Sequence, residues 1–230
     1  MSALTPRQQA YLQAMGVTLW VSQSAPLTSV SQPIAEENPG VEPGDADEWE
    51  ALALTVQQCQ RCDLHKTRTQ AVFGVGNRWA ELMIIGEAPG AEEDRQGEPF
   101  VGRAGLLLNE MLKAIGLRRQ QVYIANILKC RPPNNRDPKP EEAVQCSEYL
   151  FRQISLIQPK LILVLGRIAA QRLLKTDTSL GRLRGKLHQH SETGVPLIVT
   201  YHPAYLLRTP SDKRKAWQDL LFLRKTIQSK

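Results

Sequence analysis

Leu82-Met83-Ile84-Ile85, running straight into Gly86-Glu87-Ala88-Pro89-Gly90, is a continuous apolar run that stops at a glycine- and proline-rich turn. A short run without polar alternation, bounded by turn residues, reads as a strand buried on both faces, as in parallel sheets. The pattern recurs at Val122-Tyr123-Ile124-Ala125, at Leu161-Ile162-Leu163-Val164-Leu165 and at Leu197-Ile198-Val199. Between and after these runs lie helical periodicities over residues 104–115, 141–157, 167–174 and 211–227. Strands that alternate with helices build a parallel sheet covered on both faces. The expected fold is α/β, a three-layer α/β/α arrangement with a central four-stranded parallel sheet. Ligands of such sheets bind beyond the carboxyl ends of the strands, so the informative residues should follow each strand directly.

The chain has 230 residues and is 42% hydrophobic, enough for one substantial domain plus an appendage. No apolar run is long enough to cross a bilayer as a helix. Residues 1–11 lack the basic-then-apolar pattern of a secretory signal. A cytoplasmic monomer with no membrane partner is expected. Residues 1–60 carry one basic and seven acidic side chains, a net of −6, while residues 61–230 carry 28 basic and 16 acidic, a net of +12. A basic domain behind an acidic leader suits a polyanion, whose released counterions drive binding. The blander reading is a basic surface that merely aids solubility.

The leader divides further. Thr5-Pro6 is a helix-start signal, Leu4, Tyr11, Leu12 and Met15 share a face, and Gly16 is a stop. Residues 1–20 therefore read as a short amphipathic helix suited to docking. Residues 21–47, rich in Ser, Pro, Glu and Gly, read as a flexible linker. Residues 48–230 form the main domain, opening with a helix capped by Asp47 that runs to about Cys59 with Trp49, Leu52 and Val56 on one face.

Three strand ends carry candidate chemistry. The first is Gly86–Asp94 followed by Pro99-Phe100-Val101-Gly102-Arg103-Ala104-Gly105. It is neither a dinucleotide fingerprint nor a P-loop. Its glycines allow close backbone approach, and Phe100 is a flat ring able to stack on a base or simply to pack its loop. The second is Asn126 with Cys130-Arg131-Pro132-Pro133-Asn134-Asn135-Arg136. An amide offers a donor and an acceptor together, matching the O4 and N3–H edge of uracil, which cytosine reverses; the plain alternative is a turn-capping Asn. The third is Tyr201-His202-Pro203-Ala204-Tyr205-Leu206-Leu207-Arg208. His202 can donate to an anionic leaving group. Leu206 and Leu207 suit a wedge entering a base stack while Arg208 holds phosphate, or the segment is only a turn into the last helix.

Cys59, Cys62, Cys130 and Cys146 are not expected to form disulfides in a cytoplasmic protein. A C-x₂-C pair with two distant cysteines suits a Cys₄ zinc site as well as an iron–sulfur cluster.

Taken in order and spacing, these segments closely resemble the family 4 uracil-DNA glycosylases over roughly residues 50–225. The resemblance rests on G-E-A-P-G, P-F-V-G-x-A-G-x-L-L, N-x-x-K-C-R-P-P-x-N-R and H-P-A-Y-L-L-R. It implies a uracil-DNA glycosylase-like fold, a substrate of uracil-containing DNA, and excision of uracil as the first step of base excision repair, carried out in the bacterial cytoplasm on nucleoid DNA. It implies that Cys59, Cys62, Cys130 and Cys146 hold a [4Fe–4S] cluster. It implies uracil binding by Gly86, Ala88, Gly90, Glu93, Phe100, Asn126 and His202, with His202, Asn126 and Glu87 closest to the chemistry. It assigns Leu206, Leu207, Arg208 and Arg131 to DNA, with Leu206 filling the space the base leaves. Arg61, Lys129 and Arg131 flank the cysteines, so that loop would also meet phosphate. Ala88 stands where the best-known branch of the superfamily has a catalytic Asp, and Gly90 where that branch has a thymine-blocking Tyr. Electrostatic preorganisation must then carry the reaction, Glu87 braces its loop, and Glu93, with Glu92 second, takes over thymine rejection.

Two rival readings accompany this one. A module of the same fold could bind DNA or a partner without turnover, against which stand Asn126, His202 and Phe100. A zinc-dependent nucleic-acid enzyme is disfavoured because four cysteines leave no open metal position. At the other end, Leu12-Gln13-Ala14-Met15-Gly16-Val17 with Trp20 resembles the start of the psi subunit of bacterial DNA polymerase III. That implies docking on a replication clamp loader; the alternative is a helix packed on the main domain.

Overall fold

A computed structural model describes residues 43–228 of the chain. The proposed docking helix and nearly all of the proposed linker lie outside the described residues. The first described element is α1, Pro43–Gln57. It begins four residues ahead of the expected Asp47 cap, so the last residues assigned to the linker are helical.

The sheet follows the expected alternation. Its strands are β1 Val75–Gly76, β2 Leu82–Gly86, β3 Tyr123–Asn126, β4 Leu161–Leu165, β5 Leu187–Gln189 and β6 Pro196–Thr200. Their order is β1-β3-β2-β4-β6-β5. The inner four, β3-β2-β4-β6, are parallel, in registers such as Ile84 with Ile124 and with Leu163. The two edge strands are short and antiparallel; they lack long apolar runs, and periodicity did not reveal them. The helices after α1 are α2 Ala91–Gln96, α3 Arg103–Ala114, α4 Pro140–Ile157, α5 Arg167–Leu173, α6 Leu180–Leu183, α7 Pro203–Arg208 and α8 Lys213–Gln228.

Side chains alternate across the sheet, and each face has its own core. One face joins Met83, Ile85, Ala125, Ile162, Val164 and Val199 to α1, α4 and α5 through Trp49, Leu52, Leu150, Ile154 and Ala170. The other joins Ile84, Ile124, Leu163, Leu165 and Ile198 to α3 and α8 through Leu108, Leu112, Leu220 and Leu223. Each fully buried aliphatic side chain contributes about 1.5–3 kcal/mol relative to exposure. That explains why the inner strands tolerate no polar residue until their carboxyl ends. The order places a topological switch between β2 and β4, because the chain moves from β2 out to β3 and returns past β2 to β4. Such a switch opens a crevice at the strand ends.

Candidate active site

That crevice is a cavity of about 500 Å³ lined by Glu87, Ala88, Gly90, Glu93, Phe100, Asn126, His202 and Arg208, among others. Residues from three separate strand ends, within positions 87–104, at 126 and within 202–208, thus meet in one place. A second groove, of about 570 Å³, runs beside α4 and α5 and holds none of the residues singled out by the sequence.

Gly86 forms the floor. A Cβ there would land on Asn126 Oδ1 and 2.7 Å from Phe100 Cζ, so only glycine lets the amide and the ring lie over the end of β2. Asn126 is buried at the end of β3, and its Oδ1 has no hydrogen-bond partner. A buried acceptor left unsatisfied costs about 1–3 kcal/mol, and such atoms in functional clefts await a ligand. The Phe100 ring stacks against the His202 ring, with centroids 5.4 Å apart and an interplanar angle of 30°. Phe100 is buried rather than displayed on the loop surface. Its backbone is left-handed, φ 55°, a conformation that costs a non-glycine residue about 1–2 kcal/mol.

His202 caps α7. Its Nδ1 accepts a hydrogen bond from the Ala204 N–H at 3.1 Å. Burial, helped by Arg208, pushes its pKa down to about 4. The ring is therefore neutral near pH 7, and with Nδ1 accepting, its one proton sits on Nε2. The His202–Pro203 sequence builds this locally, since Pro at the first helical position starts α7 and leaves the preceding residue to cap it.

Glu87 lines the cavity at the end of β2. Burial, and then the nearby Asp137, push its pKa up to about 7. Its main-chain carbonyl accepts from the Leu128 N–H at 3.0 Å, so the backbone of position 87 braces the turn. The carboxylate that braces this region belongs to Glu93. It accepts from the N–H groups of Gly90, Val101 and Gly102, each at 3.1 Å. Glu92 instead pairs with Arg95 at 2.6 Å on the exposed side of α2.

Two expectations need correction. Leu206 is 1% exposed and belongs to the core with Leu108 and Leu220. Pro203 and Leu206 lie on the buried side of α7, which packs on α3. Leu206 is not a wedge in this conformation; half-buried Leu207 and exposed Arg208 are the outward residues. In the loop expected to meet phosphate, Lys129 is 1% exposed and turned into the core. Its ammonium donates to the carbonyls of Phe73 and Asn126 and to Gln153 Oε1, at 3.1, 3.0 and 2.6 Å. Burial lowers its pKa to about 8. Half-buried Arg131 is held by Asn135 Oδ1 at 2.8 Å and does not line the cavity.

The four cysteines share a separate small cavity with Lys129 and Tyr149. Cys59 follows α1, Cys62 precedes a 3₁₀ turn, Cys130 follows β3 and Cys146 lies in α4. Arg68 Nη1 donates to Cys130 Sγ at 3.0 Å, and the Lys129 N–H to Cys146 Sγ at 3.2 Å. Burial pushes the Cys146 thiol up to about 12. A thiolate there needs a positive centre beside it, so the sulfur set and its N–H donors suit a thiolate-held group. Among the described residues, no three His, Cys, Asp or Glu side chains form a site for a single metal ion.

Sequence reasoning missed Arg119, which donates to the Pro99 and Phe100 carbonyls at 2.6 and 3.2 Å. It lies in an unremarkable Arg118-Arg119-Gln120-Gln121 stretch, and no local signal marks its long-range contact.

Comparison with known proteins agrees with this geometry. The model of the uracil DNA glycosylase superfamily matches residues 73–221. The type-4 uracil-DNA glycosylase of Archaeoglobus fulgidus is 53% identical over 165 residues, covering 69% of this chain and 83% of the relative. That of Thermotoga maritima is 44% identical over 165 residues, covering 71% and 85%. The type-5 uracil-DNA glycosylase of Thermus thermophilus is more distant, 32% identical over 149 residues, covering 57% and 68%. On the matched span, the identities and the meeting of Glu87, Phe100, Asn126 and His202 in one cavity, this chain belongs to the uracil-DNA glycosylase superfamily and, within it, to the type-4 branch.

Proposed function

We propose that the protein hydrolyses the N-glycosidic bond of uracil in DNA. The observation that carries this is the orphaned Asn126 Oδ1, set beside an aromatic ring and a neutral His. Asn126 Oδ1 accepts from uracil N3–H while its amide N–H donates to O4. Cytosine presents the reverse pair and is rejected, because a buried group facing a like group costs more than a lost contact. The base must leave the stack first, and Phe100 then lies on its face.

Bond breakage leaves negative charge on the uracil ring and positive charge on the sugar. His202 Nε2–H donates to uracil O2 as that charge develops, a preorganised donor of the kind that supplies much of enzymatic rate. A neutral donor can strengthen this bond through the transition state without first binding a proton. Water attacks C1′ as the C1′–N1 bond breaks, its oxygen ends on the sugar, and its proton is released. Ala88 offers no base, so the Glu87–Ala88 turn positions this water and the DNA phosphates stabilise the sugar cation. Thymine is kept out by Glu93. Its Oε2 lies 2.7 Å from where a side chain at position 90 would begin, so its carboxylate fills the space left by glycine. Leu207 enters the stack and Arg208 holds phosphate, with Arg131 on the neighbouring turn. The activity belongs in the cytoplasm, on nucleoid DNA.

Cys59, Cys62, Cys130 and Cys146 would hold a [4Fe–4S] cluster, which when bound ties three chain segments together beside Lys129. Residues 1–20 would dock on a protein partner, the replication clamp loader being the first candidate. Three measurements test these readings. The purified protein should release uracil from a uracil-containing oligonucleotide and leave an alkali-labile site; no release from either single- or double-stranded substrate refutes the activity. It should hold about four irons and absorb in the visible; one zinc and no colour refutes the cluster. Deleting residues 1–42 should spare uracil release and abolish capture by an immobilised clamp loader.

A further inference from the structure

We propose that Arg119 is a positioning residue for uracil excision, acting through Phe100 by holding its ring against the base. This rests on the reading of Phe100 as the ring that stacks on uracil. Phe100 is held in the left-handed region, and a side chain stays there only where its surroundings over-determine it.

Those surroundings are two side chains of opposite charge. Arg119 Nη2 donates to the Pro99 carbonyl at 2.6 Å and Nη1 to the Phe100 carbonyl at 3.2 Å. Glu93 Oε1 accepts from the next two N–H groups, of Val101 and Gly102, at 3.1 Å each. The cation takes the carbonyls on one side of the Phe100 peptide unit and the carboxylate takes the amides on the other. The chain between them is turned so that the ring lies over Gly86 and against His202. Gly105 closes the back. A Cβ there would overlap the Phe100 carbonyl oxygen, so α3 starts hard against the strained peptide.

Arg119 is itself anchored by Asn109 Oδ1 at 3.3 Å, on α3. It is half-buried and absent from the cavity wall, so its route to the substrate runs through this loop. The planar guanidinium fork suits two neighbouring carbonyls; a lysine ammonium is a single point charge and cannot reproduce that geometry.

The test compares Arg119→Met, Phe100→Ala and the double variant for kcat, KM and melting temperature, using a single-stranded uracil oligonucleotide. Arg119→Met should lower kcat/KM roughly 10- to 100-fold, mostly in kcat, as expected for a ring displaced by about 1 Å. Phe100→Ala should cost at least as much, and the double variant should be no worse than Phe100→Ala. Arg119→Lys should recover only part of the loss, and it carries the same cycle if the Met variant does not fold. If Arg119→Met costs the same factor with and without the Phe100 ring, the proposal is overturned. A lower melting temperature with unchanged kcat overturns it too. Full activity in Phe100→Ala alone would remove the stacking role of Phe100, and the proposal with it, a result distinct from additivity.

Discussion

The cavity proposed for uracil and the cysteine corner sit at the two ends of the Asn126–Cys130 segment, and they are held in opposite ways. The cavity is complete in the protein alone. Strand ends fix Gly86 and Asn126, Ala204 fixes the His202 tautomer, and Glu93 with Arg119 fix Phe100; Asn126 Oδ1 lacks its partner. In the corner, the cysteines come from three segments, Cys59 and Cys62 lying far along the chain from Cys130 and Cys146, and burial pushes the Cys130 and Cys146 thiols above their ordinary range. The cavity is preorganised before its ligand arrives. The corner would depend on the cluster proposed for it. Lys129 belongs to both, its N–H on Cys146 and its ammonium on the Asn126 carbonyl.

The sharpest contrast should come from one substitution in each region. His202→Ala removes the donor proposed to meet the departing base, and kcat should fall about 10²- to 10³-fold. Its melting temperature should fall only slightly, because His202 contributes one helix cap and one ring contact at the cavity wall. Cys62→Ala should do the reverse. The iron and visible absorption should be lost, the melting temperature should fall well below that of His202→Ala, and kcat should suffer only as far as the corner's disorder spreads to Asn126. If Cys62→Ala keeps its stability while losing iron, the corner is as self-sufficient as the cavity and the comparison fails.

Lys129→Met probes the link. It leaves the Asn126 carbonyl and Gln153 Oε1 short of a donor in the core, while Phe73 keeps Gln153 Nε2, and stability should drop by about 1–3 kcal/mol. KM and kcat should both worsen, roughly tenfold in their ratio, because Asn126 loses the brace on its own carbonyl. Normal kinetics in a destabilised variant would show that the two regions are merely adjacent.

The smallest expected effect concerns pH. The Glu87 carboxyl, raised to about 7, loses its proton across the neutral range. A carboxylate on the turn proposed to position the water should make kcat/KM rise a few-fold through pH 7, and Glu87→Gln should flatten that limb. His202, at about 4, contributes no limb above about pH 5. The stability windows have opposite signs. Between 4.5 and about 7 the folded protein keeps a proton on Glu87 that the unfolded chain has lost, so this group makes stability fall as pH rises. Between 6.5 and about 4 the unfolded chain protonates His202 while the folded one does not, so this group makes stability fall as pH falls. Thermal melts of Glu87→Gln and His202→Ala from pH 4 to 8 separate the two.

Much was legible in the sequence for a physical reason. Parallel strands buried on both faces must be continuous apolar runs, and Leu82–Ile85 or Leu161–Leu165 can be little else. Sheet geometry then sends the chemistry to the strand ends, which is where Gly86, Asn126 and His202 stand. The composition of these segments carried the family resemblance and the four-cysteine set. What one residue does to another far along the chain was not legible. Leu206 and Leu207 look alike on paper; the packing of α7 on α3 buries the first and turns the second outward. Lys129 reads as a surface cation until Phe73, Asn126 and Gln153 close around it. Arg119 carries no signal at all, because its partners are carbonyls, which every residue has. Local pattern determined the four inner strands, the main helices and their alternation along the chain. Only tertiary structure decided which polar groups meet, since a hydrogen bond between distant residues depends on positions that no local periodicity encodes.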